Sequence, residues 1–235
     1  MSIISHLQTD LELIKRSYEE DKRTQVLNIL EHDTAGRIAK ALNDDILYEN
    51  AYYVDNQFKT ISLDQLERLS PQQQTQFMHD IYKGASQGEG FYYGRKPLKK
   101  DGFDKGMVQQ AFEWLNANET LESIKHISGF DDIVAASAQA TRFYPGHFLT
   151  RHNDIHATEQ RRVAYVLNLT PKWHPDWCGL LQFYYPDGAP KDAWVPHFNS
   201  LCLFDVNHVH GVTHVAPFAT QPRLSISGWF RATPL

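Results

Sequence analysis

ASAQATRFYPGHFLTRHND, residues 136–154, opens the run of segments that decides the fold. RRVAYVLNLTP (161–171), GLLQFYYPDG (179–188), AWVPHF (193–198), SLCLFDV (200–206) and RLSISGWFRA (223–232) follow it. Each is short, rich in aromatic and branched apolar side chains, and separated from the next by turn-forming residues. Strands at this density imply a sandwich or a barrel.

Before Asp131 the pattern differs. Ile4, Leu7, Leu11 and Ile14, then Val26, Leu30, Ile38 and Leu42, recur at helical spacing and predict two helices up to about Asn43. ILYENAYYVDNQFKTISL (46–63) alternates loosely and reads as one or two strands. Ser62 and Ser70 look like helix N-caps, and Pro71 at a first helical position predicts a helix over 71–84. Gly88, Gly90, Gly94, Pro97 and Gly102, set among lysines, make residues 86–106 read as a long loop. DKGMVQQAFEWLNANETLESIKHI (104–127) predicts two further helices, broken near Asn118 and ending before Gly129. The expected architecture is α+β and a single domain. Residues 135–235 form a jelly-roll (double-stranded β-helix) core, and residues 1–134 brace it with helices and contribute the first strands.

Composition narrows the function. Of 235 residues, 23 are Lys or Arg and 28 are Asp or Glu, a net charge of −5 that disfavours a nucleic-acid partner. No stretch nears the roughly 18 to 20 apolar residues of a membrane helix, and MSIISHLQTDLELIKRSYEED turns acidic early, so a soluble, cytoplasmic protein with no membrane partner is expected. Cys178 and Cys202, the two cysteines, have no metal-site spacing. Histidine is the anomaly, because eight of the 12 lie in the last 95 residues.

In His152-Asn153-Asp154 at a strand end, residues two apart point the same way, so an imidazole and a carboxylate converge. A second histidine would complete a facial triad with open positions, the set suited to non-haem Fe(II). The third ligand should come from DVNHVHGVTHV (205–215), where His208, His210 and His214 compete. On RLSISGW, Arg223 and Ser225 share one face and Leu224 and Ile226 the other, so guanidinium and hydroxyl project into one cavity as a fork for a carboxylate. Tyr165 and Asn168, on the strand after the metal loop, lie on opposite faces, so one of them at most lines the pocket. His156 shares the parity of His152 but follows an expected turn. Arg161 and Arg162 read as solvated, and Trp173 and Trp177 as loop packing.

FYPGHFLTRHND, RRVAYVLNLTP, SLCLFDVNHVHGV and RLSISGWF together resemble the Fe(II)/2-oxoglutarate dioxygenase superfamily, specifically its prolyl 4-hydroxylase-like branch and the ribosomal-protein prolyl hydroxylases. The resemblance covers about the last 100 residues. It implies His210 as the distal ligand, with His208 as fallback and His214 at the rim. Arg223 and Ser225 would then receive 2-oxoglutarate, with Tyr144 and Tyr165 as candidate phenol contacts. The implied cofactors are Fe(II) and the co-substrate 2-oxoglutarate, with ascorbate as a candidate reductant. The implied reaction hydroxylates a prolyl residue of a peptide or protein, free proline, or another small molecule. Phe91, Tyr92 and Tyr93 in the 86–106 segment would supply a lid or groove wall. Nucleic-acid demethylases of this superfamily usually carry a second arginine six residues after the first, where this chain has Trp229. The rival readings are a cupin-like barrel that binds a metal or small ligand without oxygenase activity, and a zinc hydrolase with the same three ligands.

Overall fold

The outermost strand of the main wall comes from a segment that periodicity assigns to helix. The computed structural model describes residues 3, 5–7, 10–100 and 106–235; Ile4, and Gly102 with the rest of residues 101–105, lie outside the described residues. Helix α1 (Leu11–Asp21) stops at Lys22, whose φ of 52° is left-handed. The chain then forms β1 (Arg23–Leu27) before α2 (His32–Asp44). β1 pairs antiparallel with β10 (Ser200–Asp205), so Val26 belongs to a strand. Pairing with an available sheet edge outweighs a helical spacing that five residues cannot distinguish from strand.

β2 (Glu49–Val54) and β3 (Gln57–Ser62) form a hairpin whose turn residues Asp55 and Asn56 have φ of 55° and 58°. Positive φ at both positions matches the twist that two-residue hairpins require. Ser62 and Ser70 cap α3 (Leu63–Glu67) and α4 (Pro71–Ala85), each in a reciprocal capping box, with Gln65 and Gln73 respectively.

The expected 86–106 loop contains β4 (Phe91–Leu98), a strand that joins the two walls of the core. Its glycine and proline have local reasons. A Cβ on Gly94 would lie 3.1 Å from the Arg142 carbonyl oxygen, so glycine permits a close approach of backbones. Pro97 lies beyond the residues of β4 that β2 pairs and opposite Gln139 of β5, so the strand is paired on one side only there, the setting in which a strand tolerates proline. Helices α5 (Met107–Leu115) and α6 (Asn118–Ser128) follow, the second closed by Gly129 at φ 79°.

The remaining strands are β5 (Ala135–Phe143), β6 (Phe148–His152), β7 (Arg161–Asn168), β8 (Leu181–Tyr184), β9 (Pro190–Trp194), β11 (His210–Val212) and β12 (Arg223–Arg231). β9 begins three residues before the AWVPHF segment expected as strand and includes its Ala193 and Trp194, and the chain leaves the sheet before Pro196. One wall runs β1-β10-β7-β12-β5-β4, extended by β2 and β3, and the facing wall runs β6-β11-β8-β9. All pairings are antiparallel. This is a double-stranded β-helix braced by helices. β1 and β4 from the first half of the chain are hydrogen-bonded into the same sheet as the later strands.

Alternation divides the wide wall into two faces. Leu224, Ile226 and Phe230 of β12 pack with Ile38 and Leu42 of α2 and Phe112 of α5 in the main apolar core. Odd-numbered residues of β12 face the space between the walls. Ile38 is fully buried in this core. Ile38→Ala is therefore expected to cost about 2 to 5 kcal/mol of stability, measured by denaturant unfolding with an unchanged m-value. No helix among the described residues is long and apolar enough to cross a membrane.

Candidate active site

A cavity of about 670 Å³ opens between the walls. His152 ends β6 and His210 begins β11, and the two stand opposite each other in the antiparallel register. Gly211 makes this possible, since a Cβ there would come within 2.6 Å of the Leu149 carbonyl oxygen. The imidazole centroids are 4.3 Å apart. Asp154 is fixed by its own backbone N–H, which donates to the Val206 carbonyl (3.0 Å). Its carboxylate oxygens lie 3.6 Å from His152 Nε2 and 3.3 Å from His210 Nε2. One ligand atom from each of the three residues falls within 4.8 Å of the others, a spacing that could hold a metal ion.

Tautomers are set by the backbone. His152 Nδ1 donates to the Thr150 carbonyl at 3.0 Å, and His210 Nδ1 donates to the His208 carbonyl at 2.9 Å. With Nδ1 committed to a carbonyl in each ring, Nε2 is the nitrogen left to bind a cation beside Asp154, the orientation that outer partners give to metal-binding imidazoles. Burial alone would push the Asp154 carboxyl up, but His210 and His152 beside it hold it down at about 2. Burial pushes His210 down to about 4. Burial also opposes a charge on His152, yet the Asp154 carboxylate outweighs it and lifts that imidazole above its ordinary value.

Near neutral pH the carboxylate is therefore ionised and His210 is neutral, which is the protonation state a cation requires. As pH falls, His152 is the first of the three to take up a proton, because its affinity for protons is raised while those of Asp154 and His210 are lowered. Mn(II) affinity should therefore decline by about tenfold per pH unit once His152 is protonated. Calorimetric titration at stepped pH checks this.

Across the cavity, Arg223 is buried, at 2% exposure, and lined up with Ser225 on β12. Its Nη2 reaches Asn168 Oδ1 at 3.3 Å and its guanidinium lies 5.3 Å from the Phe143 ring centroid. Its Nε has no hydrogen-bond partner, and no carboxylate pairs with it among the described residues. Burial pushes this guanidinium down to about 10. The Ser225 hydroxyl is 2.6 Å from that of Thr141. A buried guanidinium without a carboxylate partner, in a cavity that also holds two imidazoles and a carboxylate, fits an organic dicarboxylate bridging to a metal.

The tyrosine assignments need correction. Tyr144 is 38% exposed, packs against Arg142, and does not line the cavity. Tyr165 borders the cavity, but its phenol donates to the Ser137 carbonyl (2.9 Å) and its ring packs in the helix-backed core against Phe230. Alternation along β7 turns Val163, Tyr165 and Leu167 that way and leaves Ala164 and Val166 toward the cavity. Tyr93 of β4 also lines the cavity, stacked on Phe143 at 4.9 Å. The sequence places Tyr93 in a lid or groove wall, and strand alternation along FYYGR turns it inward with Phe91 and Arg95.

The other histidines fall outside the triad. His208 Nε2 donates to the Asp21 carbonyl (2.8 Å), which takes it away from the cavity. His156 is exposed, with Nδ1 accepting from the Glu159 N–H. His214 is exposed and stacks on Phe148 at 5.9 Å. Arg161 lies over Trp229 at 3.5 Å and pairs with Glu159 (2.6 Å), so it belongs to the cavity rim, whereas Arg162 pairs with Asp132 (2.7 Å).

Fold and site together define a jelly roll presenting two histidines and an aspartate beside a buried arginine. Residues 138–231 match the model of the 2OG-Fe(II) oxygenase superfamily. Prolyl 3-hydroxylase OGFOD1 of Mus musculus is 34% identical over 114 residues, covering 46% of this chain and 20% of that protein. OGFOD1 of Xenopus laevis is 38% identical over 84 residues, covering 33% and 16%. The chain thus spans a fifth or less of the length of these curated relatives. The structure of a Pseudomonas putida prolyl-4-hydroxylase superposes with a TM-score of 0.64 at 19% identity, over 95% of this chain and 100% of that one. A Trichoplax adhaerens prolyl hydroxylase, solved with a hypoxia inducible factor peptide fragment, gives 0.65 at 16% identity over 97% and 92%.

Proposed function

We propose that the chain is an Fe(II)- and 2-oxoglutarate-dependent prolyl hydroxylase acting on a peptide or protein. The observation that carries this reading is the pairing of backbone-fixed imidazoles, whose Nε2 atoms converge with Asp154, with an unpaired buried guanidinium in the same cavity. His152, Asp154 and His210 would hold Fe(II). Arg223 would hold the far carboxylate of 2-oxoglutarate, with Ser225 beside it. Bound there, the metal and co-substrate supply O2-dependent hydroxylation of an unactivated C–H, with succinate and CO2 as co-products.

The chain's own contribution is geometric and electrostatic. The Thr150 and His208 carbonyls fix both ring orientations, Asp154 supplies the negative charge, and the apolar walls formed by Phe183, Phe204 and Val212 keep bulk water from the metal side. A cupin-like binder would have no use for Arg223 buried without a counter-ion, which favours the oxygenase over that rival. The names of the curated relatives support proline as the hydroxylated residue. The test is mass spectrometry of proline-containing peptides incubated with protein, Fe(II), 2-oxoglutarate and O2, with ascorbate as reductant. Gain of one oxygen atom on proline, dependent on all of the first four components, is expected. Turnover of 2-oxoglutarate without oxygen on any prolyl peptide would leave the oxygenase and remove proline.

A further inference from the structure

Arg223 is accounted for by the co-substrate, but the cavity holds a second guanidinium that is not. Arg95 of β4 stands opposite Thr141 of β5, and Thr141 opposite Ser225 of β12, so Arg95 lies in the row that crosses the cavity floor, two strands from Ser225. Its Nε is buried without a hydrogen-bond partner, and no carboxylate pairs with it among the described residues. The Phe58 ring covers it, 5.4 Å from its guanidinium carbon, and Phe58 itself is 51% exposed at the cavity mouth.

Next to Arg95 lies an unmet acceptor. Gln139 donates through Nε2 to Ser227 Oγ (3.3 Å), which leaves its buried Oε1 without a partner. Burial pushes the Tyr93 phenol up, while Arg95 and Gln139 act on it in the other direction, so the three groups share one side of the cavity. An unpaired guanidinium whose Nε is buried in a half-buried side chain, beside a buried unpaired carbonyl, leaves polar groups that a ligand entering the cavity would satisfy. A neutral substrate would leave the cation unmatched, and a carboxylate matches its fork.

The geometry points to Arg95 as the receptor for a carboxylate carried by the substrate, with Gln139 accepting an N–H beside it. The substrate class is then an acidic peptide segment or a free amino acid whose carboxylate lies near the oxidised carbon. This rests on reading the cavity as an oxygenase site, with Arg223 already taken by 2-oxoglutarate.

The experiment is calorimetric titration of the full chain loaded with Mn(II) and saturating 2-oxoglutarate, using probes in matched pairs. These are L-proline against L-prolinamide, acetyl-Pro-Glu-amide against acetyl-Pro-Gln-amide, and N-acetyl-leucine against N-acetyl-leucinamide. In at least one pair the carboxylate member should bind at least about tenfold tighter, as a charge-assisted contact implies. Arg95→Gln should bring that pair within about twofold, and Arg95→Lys should retain part of the gap because the charge remains. The first two pairs separate a free amino acid from an acidic peptide.

Equal affinity within every pair, no binding by any carboxylate probe, or a gap undiminished in a folded Arg95→Gln protein would overturn the inference. So would a loss of 2-oxoglutarate affinity in Arg95→Gln as large as that in Arg223→Ala, which would make Arg95 a co-substrate ligand. The leucine pair keeps this distinct from the prolyl reading. Charge discrimination confined to that pair would sink proline and leave Arg95 in place, whereas prolyl hydroxylation with no charge preference would do the reverse.

Discussion

His210→Ala is expected to abolish Fe(II)-dependent turnover and to weaken Mn(II) binding by more than the roughly 10- to 100-fold that loss of an outer partner costs. The cause is local. His210 supplies one of three ligand atoms, its Nδ1 is held by the His208 carbonyl, and it stands on a strand so close to β6 that no other side chain can replace it. His152→Ala and Asp154→Ala should be equally severe, and Asp154→Glu should fail too, because an added methylene carries the carboxylate off the point where the imidazoles meet. His208→Ala should leave Mn(II) affinity close to wild type, since that ring is bonded to Asp21. Metal titration of the four ligand variants and His208→Ala checks the set, and loss in His208→Ala with retention in His210→Ala would show the distal ligand to be misassigned.

Arg223→Ala should weaken 2-oxoglutarate by at least about tenfold while changing Mn(II) affinity little. Its guanidinium is remote from the metal ligands in role and is the buried cation on β12 with no carboxylate of its own. A hydrogen bond to a charged group is worth roughly 1.5 to 3 kcal/mol. Arg223→Lys should recover part of the binding, since charge persists but the fork is lost. Ser225→Ala should cost about 1 kcal/mol at most, because its hydroxyl is already engaged with Thr141. Calorimetric titration of 2-oxoglutarate into the Mn(II)-loaded variants reads this order directly.

Much of the site is legible from strand parity alone. His152 and Asp154, and Arg223 and Ser225, are pairs two residues apart, and period-two alternation carries each pair into one cavity regardless of the rest of the fold. The choice of His210 over His208 depended on the family resemblance, because both share parity; only the structure shows His208 turned to the Asp21 carbonyl. The directions of Tyr144 and Tyr165 are not legible for a related reason. A residue's face is fixed by its strand, but Tyr144 lies just past the end of β5, and the inward set on β7 is the even-numbered one.

The elements that sequence did not reveal are those that depend on distant partners. β1 needs the edge of β10 to be a strand, and β4 needs β2, β5 and β6 around it. Gly94 and Pro97 punctuate a loop in most settings, and become tolerable within a strand only where a neighbouring backbone comes close or a ladder bond is not required. Reading residues 86–106 as a loop also hides Arg95 and the inward direction of Tyr93, two of the five cavity residues that β4 carries. Helix ends were clearer, because Ser62, Ser70, Pro71 and Gly129 act through local hydrogen bonds and backbone angles.

The central claim is that this cavity joins a metal triad to a 2-oxoglutarate anchor and turns the co-substrate over. The most direct measurement is succinate formed from 2-oxoglutarate by the protein prepared without oxygen, then exposed to O2 with and without added Fe(II) and without any other substrate. The account predicts slow, Fe(II)-dependent succinate release that disappears in His210→Ala and in Arg223→Ala at limiting 2-oxoglutarate. Wild-type protein that binds metal tightly yet forms no succinate at any 2-oxoglutarate concentration would contradict it and return the fold to a metal-binding barrel.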